Sequence, residues 1–201
     1  MTQLSSKVIG RFTLYHCILT DCLMRGQDYI SSAQIALLLK VDDSQVRKDI
    51  ALCKISGKAK VGYSVTELKQ AIEKLLGFRQ RKELFIVGAG NLGFALAKYD
   101  DFKDYGLDVL ALFDNDPLKV GLNVGQKPIY HISKLPELVN RLGVQSVILA
   151  VPRANAQQVA DFLIANGVRY IWNFTQTVLS VPDGVSVYYE NLISHFLQLK
   201  N

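Results

Sequence analysis

The chain has 201 residues, 49% of them apolar, and a formal charge of +5, which leaves room for one large domain or two small ones. No apolar run approaches the ~20 residues of a bilayer-spanning helix, and the start MTQLSSKVIGRF has no secretory pattern, so the sequence reads as cytoplasmic with no membrane partner. Charge is uneven: residues 1–82 carry 14 Lys and Arg against 7 Asp and Glu, residues 83–201 carry 9 against 11, which points to a polyanionic partner for the first part alone.

From Lys7 to Met24 the apolar residues Val8, Phe12, Tyr15, Ile18, Leu19 and Leu23 recur at helical spacing, and Gly26 ends the run. Ser31 or Ser32 can cap a short helix over Ala33 to Leu39. After the brief connection Lys40–Val41, Asp42 can cap a third helix, Asp43 to Cys53, with Gln45 completing a capping-box-like arrangement. This is the layout of a helix-turn-helix. The third helix turns Val46, Ile50 and Cys53 to one side and Ser44, Gln45, Arg47, Lys48 and Lys54 elsewhere, a polar and basic surface suited to the major groove of double-stranded DNA. Gly57 and Gly62 then bracket Lys58, Ala59 and Lys60, with Tyr63 following, as in a β-hairpin wing. A helix over Val65 to Leu76 closes a winged-helix domain of residues 1–77, and residues 78–82 read as a linker.

The pattern then changes. Leu84 to Val87 is a β-favouring run followed by Gly88, Ala89, Gly90, Asn91, Leu92 and Gly93 and a helix over Phe94 to Lys98, the strand, GxGxxG turn and helix of a dinucleotide site. The first two glycines permit the tight turn and close approach of a pyrophosphate, and the third lets helix and strand meet. A second strand, Val109 to Phe113, ends at Asp114, 21 positions beyond Gly93. A carboxylate there accepts bonds from ribose hydroxyls and repels a 2′-phosphate, which favours NAD(H). Strands at Ser146 to Val151, Tyr170 to Asn173 and Val185 to Tyr188, with a helix over Ala154 to Asn166, extend an α/β, doubly wound parallel sheet across residues 83–190.

Residues 191–201 concentrate Leu192, Ile193, Phe196, Leu197 and Leu199 on a helix too short to be stable alone. Exchange of this helix between two subunits would build a homodimer matched to a palindromic operator. Catalysis has little support. Tyr99 and Lys103 form a YxxxK pair, but it begins six residues after Gly93, far earlier than the catalytic pair of short-chain dehydrogenases, and His16, His131 and His195 have no neighbouring acid in the sequence. Cys17, Cys22 and Cys53 have no metal-ligand or disulfide spacing and read as small buried side chains, so no metal is expected.

Taken together the chain resembles the Rex family of redox-sensing repressors. The resemblance rests on Arg11, SSAQIA, QVRKD at Gln45 to Asp49, VGY at Val61 to Tyr63, VGAGNLG at Val87 to Gly93, FDNDPLKVG at Phe113 to Gly121, AVPRANAQQVAD at Ala150 to Asp161, and Asn173–Phe174. It implies a dimeric repressor that leaves DNA when NADH binds, with Lys119 and Asn173 in the cofactor site and the nicotinamide near Tyr99, Val151 and Pro152. Departures are also visible. Ala51, Leu52, Cys53 and Lys54 replace an aromatic-rich segment, Ala59 stands at the wing arginine, and Cys17 and Asn191 replace a charged pair of the switch. The alternative they raise is a dinucleotide-binding dimer that no longer reads DNA or switches and acts as a protein-interaction module.

Overall fold

The computed structural model describes residues 4–191, 193 and 197, and the chain divides into two compact units, Met1–Gln80 and Arg81–Asn201. The first unit runs α1 (Ser6–Met24), β1 (Tyr29–Ile30), α2 (Ser32–Leu39), α3 (Asp43–Ala51), β2 (Tyr63–Ser64) and α4 (Val65–Leu76). Its core joins Phe12, Tyr15, Leu19 and Cys22 of α1 with Ile35, Val46, Ile50, Leu68 and Ile72. These positions keep the helical period, so each helix presents one apolar stripe.

The capping box forms at α2. Ser31 Oγ accepts from the Gln34 amide at 3.2 Å, while Gln34 Oε1 accepts from the Ser31 amide at 2.8 Å. At α3, Asp42 caps the Ser44 amide at 2.7 Å, but Gln45 does not reach back. Its side chain turns forward instead, Nε2 donating to the ionised Asp49 Oδ1 at 2.9 Å in a charge-assisted bond. α3 also ends at Ala51, two residues before the expected Cys53. The wing is shorter than the sequence suggested: Lys58 and Gly62 exchange backbone bonds, whereas Tyr63–Ser64 pairs antiparallel with β1. None of the three thiols is in a disulfide: Cys22 is buried, Cys53 half-buried and Cys17 exposed, which corrects the expectation of three buried cysteines. Burial pushes the Cys53 thiol up to about 11.

The second unit runs β3 (Lys82–Val87), α5 (Asn91–Ala97), β4 (Leu107–Asp114), β5 (Asn123–Val124), β6 (Lys127–His131), α6 (Leu135–Leu142), β7 (Ser146–Leu149), α7 (Ala156–Ala165), β8 (Tyr170–Asn173) and β9 (Ser186–Tyr189). The sheet order is β5-β6-β4-β3-β7-β8-β9, parallel except that β5 pairs antiparallel with β6. Phe85 and Val87 of β3 face one core with α6 and α7, and Leu84 and Ile86 face the other with α5 and Phe102, the two-faced burial of a central parallel strand. The order reverses between β3 and β7, so this is a Rossmann domain with its switch point at the β3 and β7 carboxyl ends. β5, β6 and α6 have no counterpart in the sequence reading. Of residues 191–201, the expected swapped helix, all but Asn191, Ile193 and Leu197 lie outside the described residues.

One buried carboxylate ties α1 to α3. Asp49, with 3% of its side chain exposed, accepts from Arg11 Nε at 2.6 Å and Nη2 at 2.8 Å, from Tyr15 hydroxyl at 2.8 Å and from Gln45. Burial alone would raise its pKa, but these donors hold it below the ordinary carboxylate value. Its stabilising contribution is therefore complete above the unfolded value of about 3.9 and is lost as pH falls through the folded value. Asp49→Ala should cost about 3 kcal/mol in urea unfolding, because it leaves the part-buried Arg11 guanidinium and the buried Tyr15 hydroxyl without their acceptor. Asp49→Asn should flatten the acid limb of the stability curve; an unchanged limb would contradict the assignment.

Candidate functional site

The glycine turn between β3 and α5 is fixed on both sides by strand ends. The Gly88 amide donates to the Phe113 carbonyl at 2.8 Å, and the Ala150 amide donates to the Val87 carbonyl at 2.8 Å. Gly88 has a φ of +104°, and a Cβ there would collide with the Ala150 carbonyl. A Cβ on Gly93 would strike the Gly88 carbonyl. Gly90 differs: its φ is −87° and a Cβ would meet no atom of the described residues within 4 Å. The protein's own packing requires glycine at 88 and 93 but not at 90, where the bare backbone faces a cleft of about 550 Å³.

That cleft lies at the switch point. Of the expected cofactor residues, Gly88, Gly90, Asn91, Leu92, Asp114, Lys119, Val151 and Pro152 line it. Ala89 and Gly93 lie beneath it, Ala89 fully buried. The structure does not bring Tyr99 or Asn173 into it. Tyr99 is half-exposed, packs edge-on against Phe102 and lines a separate small recess with Lys103, so the YxxxK pair also stands apart from the cleft. Asn173 is buried, and its side chain holds the following loop by accepting from Thr175 N and Oγ1 and donating to the Thr177 carbonyl. Sequence reasoning missed Asn115, Asp116, Ile132, Asn155 and Val159, which also line the cleft. Ile132, Val151 and Val159 pack on the same hydrophobic core and form one apolar wall.

Asp114 organises the polar side. Its Oδ2 accepts from the Ala89 amide at 2.8 Å and Lys119 Nζ at 3.2 Å, and its Oδ1 accepts from the Asp116 amide at 2.9 Å. Burial opposes ionisation here too, yet the Asp116 and Ala89 amides and Lys119 hold the carboxyl below its ordinary value. Lys119 is raised in turn, chiefly by its bond to Asp114. Asp114 is thus ionised at neutral pH with most of its acceptor capacity fixed in place.

In the first unit, Ser44, Arg47, Lys48, Lys54, Lys58 and Lys60 are exposed, while Gln45 and Tyr63 are half-buried. Arg47 pairs with Asp43 at 2.9 Å, a surface ion pair of small worth that a stronger anion can displace. Lys58 Nζ donates to the Tyr29 hydroxyl at 2.6 Å and stands 4.9 Å from the ring centroid. His16 does have an acidic neighbour: the fold sets its Nε2 3.3 Å from Glu73 Oε1, 57 residues away. The pair lies in the α1–α4 seam, braced by Lys69 at 2.6 Å from Glu73. His131 instead bonds Ser133.

The geometry defines a two-domain protein with a DNA-binding type of helix-turn-helix unit and a Rossmann unit whose cleft has an open glycine backbone beside an ionised carboxylate. Family models agree: residues 79–177 match "CoA binding domain" and residues 3–51 match "Putative DNA-binding protein N-terminus". The chain is 41% identical to the redox-sensing transcriptional repressor Rex of Treponema denticola over 86% of its own length and 82% of the relative's. It is 40% identical to that of Carboxydothermus hydrogenoformans over 92% and 89%. Crystal structures of the Rex-family repressor RSP, one with β-NADH and one with β-NAD⁺ and operator DNA, match the whole chain at a TM-score of 0.88 and 32% identity, covering 94% and 92% of the respective chains. The chain belongs to the Rex family of redox-sensing transcriptional repressors.

The three glycines should separate by substitution. Gly93→Ala should destabilise the second unit by about 2 kcal/mol or more through a forced backbone clash. Gly90→Ala should be neutral or stabilising by up to about 1 kcal/mol. Urea unfolding followed by circular dichroism distinguishes the two; equal losses would remove the distinction between packing and cleft glycines.

Proposed function

We propose that this protein is an NAD(H)-responsive repressor, a cytoplasmic homodimer that binds double-stranded operator DNA through its first unit and reads the cell's redox state through its second. The observation that carries the reading is Gly90. Among the described residues no contact demands a glycine there, whereas a dinucleotide diphosphate resting on the turn would. The residues present fit such a ligand. Asp114 retains an acceptor position for a ribose hydroxyl, and Ile132, Val151, Pro152 and Val159 offer the apolar slot that a flat purine fills.

We therefore assign Val151 and Pro152 to the adenine rather than to the nicotinamide that the family resemblance implied. The nicotinamide supplies the redox signal, since its two forms differ by a hydride and a positive charge. No hydride acceptor is needed for that role, and the reading is of a sensor rather than a catalyst. On the DNA side, Ser44, Arg47 and Lys48 of α3 face outward for the major groove, and Lys54, Lys58 and Lys60 for phosphates. Gln45 is withdrawn from base reading by its bond to Asp49, and Tyr63 serves the small sheet with β1. The relatives' link to operator DNA does not favour the alternative of a module that has lost DNA binding.

Calorimetry of the full chain with NADH should show binding that Asp114→Ala weakens at least tenfold, the loss of about one charge-assisted hydrogen bond. Fluorescence anisotropy with DNA selected from a random pool should show release on adding NADH. In the same assay Arg47→Ala with Lys48→Ala should lower affinity and reduce the salt slope by up to about 4, two cations being lost from each subunit of the dimer. Absence of any enriched palindrome would sink the repressor reading, and absence of NADH binding would sink the sensor.

A further inference from the structure

The acid pair at the end of β4 is built differently from a lone ribose-binding carboxylate. Asp114 is 11% exposed at its side chain and already accepts from the Ala89 and Asp116 amides and from Lys119. A carboxylate offers about four lone-pair sites, so roughly one remains for a hydroxyl. Its negative charge faces an ammonium at 3.2 Å. Asp116 shares that same ammonium, with its Oδ2 3.5 Å from Lys119 Nζ. Asp116 is more open, at 35%, and its Oδ1 accepts from the Leu118 amide at 3.0 Å. Two carboxylates and one ammonium line the cleft together, and the uncompensated charge belongs to the pair rather than to Asp114 alone.

We propose that Asp116 is the residue that excludes a 2′-phosphorylated dinucleotide, by holding Lys119 and keeping the Asp114–Asp116–Lys119 cluster net negative. The inference rests on the dinucleotide reading above. A 2′-phosphate brings between one and two further negative charges, and it would be tolerated only if Lys119 were free to turn to it. With the Asp116 side chain 3.5 Å away and that of Asp114 at 3.2 Å, Lys119 is held from both sides. Without that charge the cluster is neutral and Lys119 becomes a phosphate ligand, leaving the Asp114 contacts to Ala89 and the ribose in place. Asn at 116 keeps a side-chain oxygen to cap Leu118, so the turn that presents Lys119 survives the change.

Calorimetric titration of the full chain with NADH and with NADPH tests this. Asp116→Asn should keep NADH affinity within about threefold of the parent and tighten NADPH binding at least tenfold, a gain that shrinks as salt is raised. Adding Lys119→Met to Asp116→Asn should abolish the gain. A NADPH-to-NADH affinity ratio unmoved by Asp116→Asn, with NADH still bound by the parent and weakened at least tenfold by Asp114→Ala, would overturn the inference and leave the dinucleotide reading standing. Equal weakening of both ligands would assign Asp116 a structural role and overturn it likewise. No NADH binding by the parent would overturn both.

Discussion

The bond from the Ala89 amide to Asp114 is the constraint on which the second unit's chemistry depends. It joins the turn after β3 to the end of β4, while Gly88 presses the same turn against Ala150 after β7. The turn therefore cannot relax toward either neighbour, and the cleft at the switch point exists before any ligand arrives. Preorganisation of this kind means that binding does not have to order the turn. It also explains why the acid cannot be treated as a free anion: its position and its charge are both committed to the fold.

The first unit repeats the device with different donors. Asp49 and Asp114 are both carboxylates whose burial would favour the neutral form, and both remain ionised because several donors converge on them. At Asp49 the donors come from α1 and α3, so the charge fixes the angle at which α3 leaves the bundle. The outward residues Arg47 and Lys48 inherit that angle. Residues that carry the family resemblance thus divide into two sorts. Arg11, Gln45 and Asp49 hold the frame, and Arg47 and Lys48 present charge on it.

Regular elements with strong period were legible from the sequence. α1, α4 and β8 stand where the apolar spacing put them, and the glycine turn was recognised from its flanking strand and helix. Short or edge elements were not. β1, of two residues, carries no period of its own and exists because Tyr63–Ser64 pairs with it. α6 was missed although Leu135, Leu138 and Val139 are helically spaced and Gly143 closes it. In the site, the residues missed are those whose role depends on three-dimensional proximity. Asp116 lies two positions from a recognised acid, yet nothing in the sequence says that Lys119 bridges the two. The His16–Glu73 pair, 57 residues apart, is of the same kind. Tyr99 and Asn173 rest on the family resemblance alone, and both stand outside the cleft lining.

A dinucleotide makes contradictory demands on its site, since its diphosphate needs positive or amide surroundings and its adenosine ribose needs acceptors. The cleft offers both: on the proposed reading the open face of Gly90 takes the diphosphate, and the acids with Lys119, joined to the turn by the Ala89–Asp114 bond, take the ribose. If Asp114 carried its charge without Lys119, the negative field would extend toward the diphosphate and weaken it as well. Lys119 confines that field to the ribose end, where a small surplus suffices to discriminate. The lysine is therefore as much a part of the acid's function as the acid itself, and selectivity becomes a property of charge balance rather than of one carboxylate.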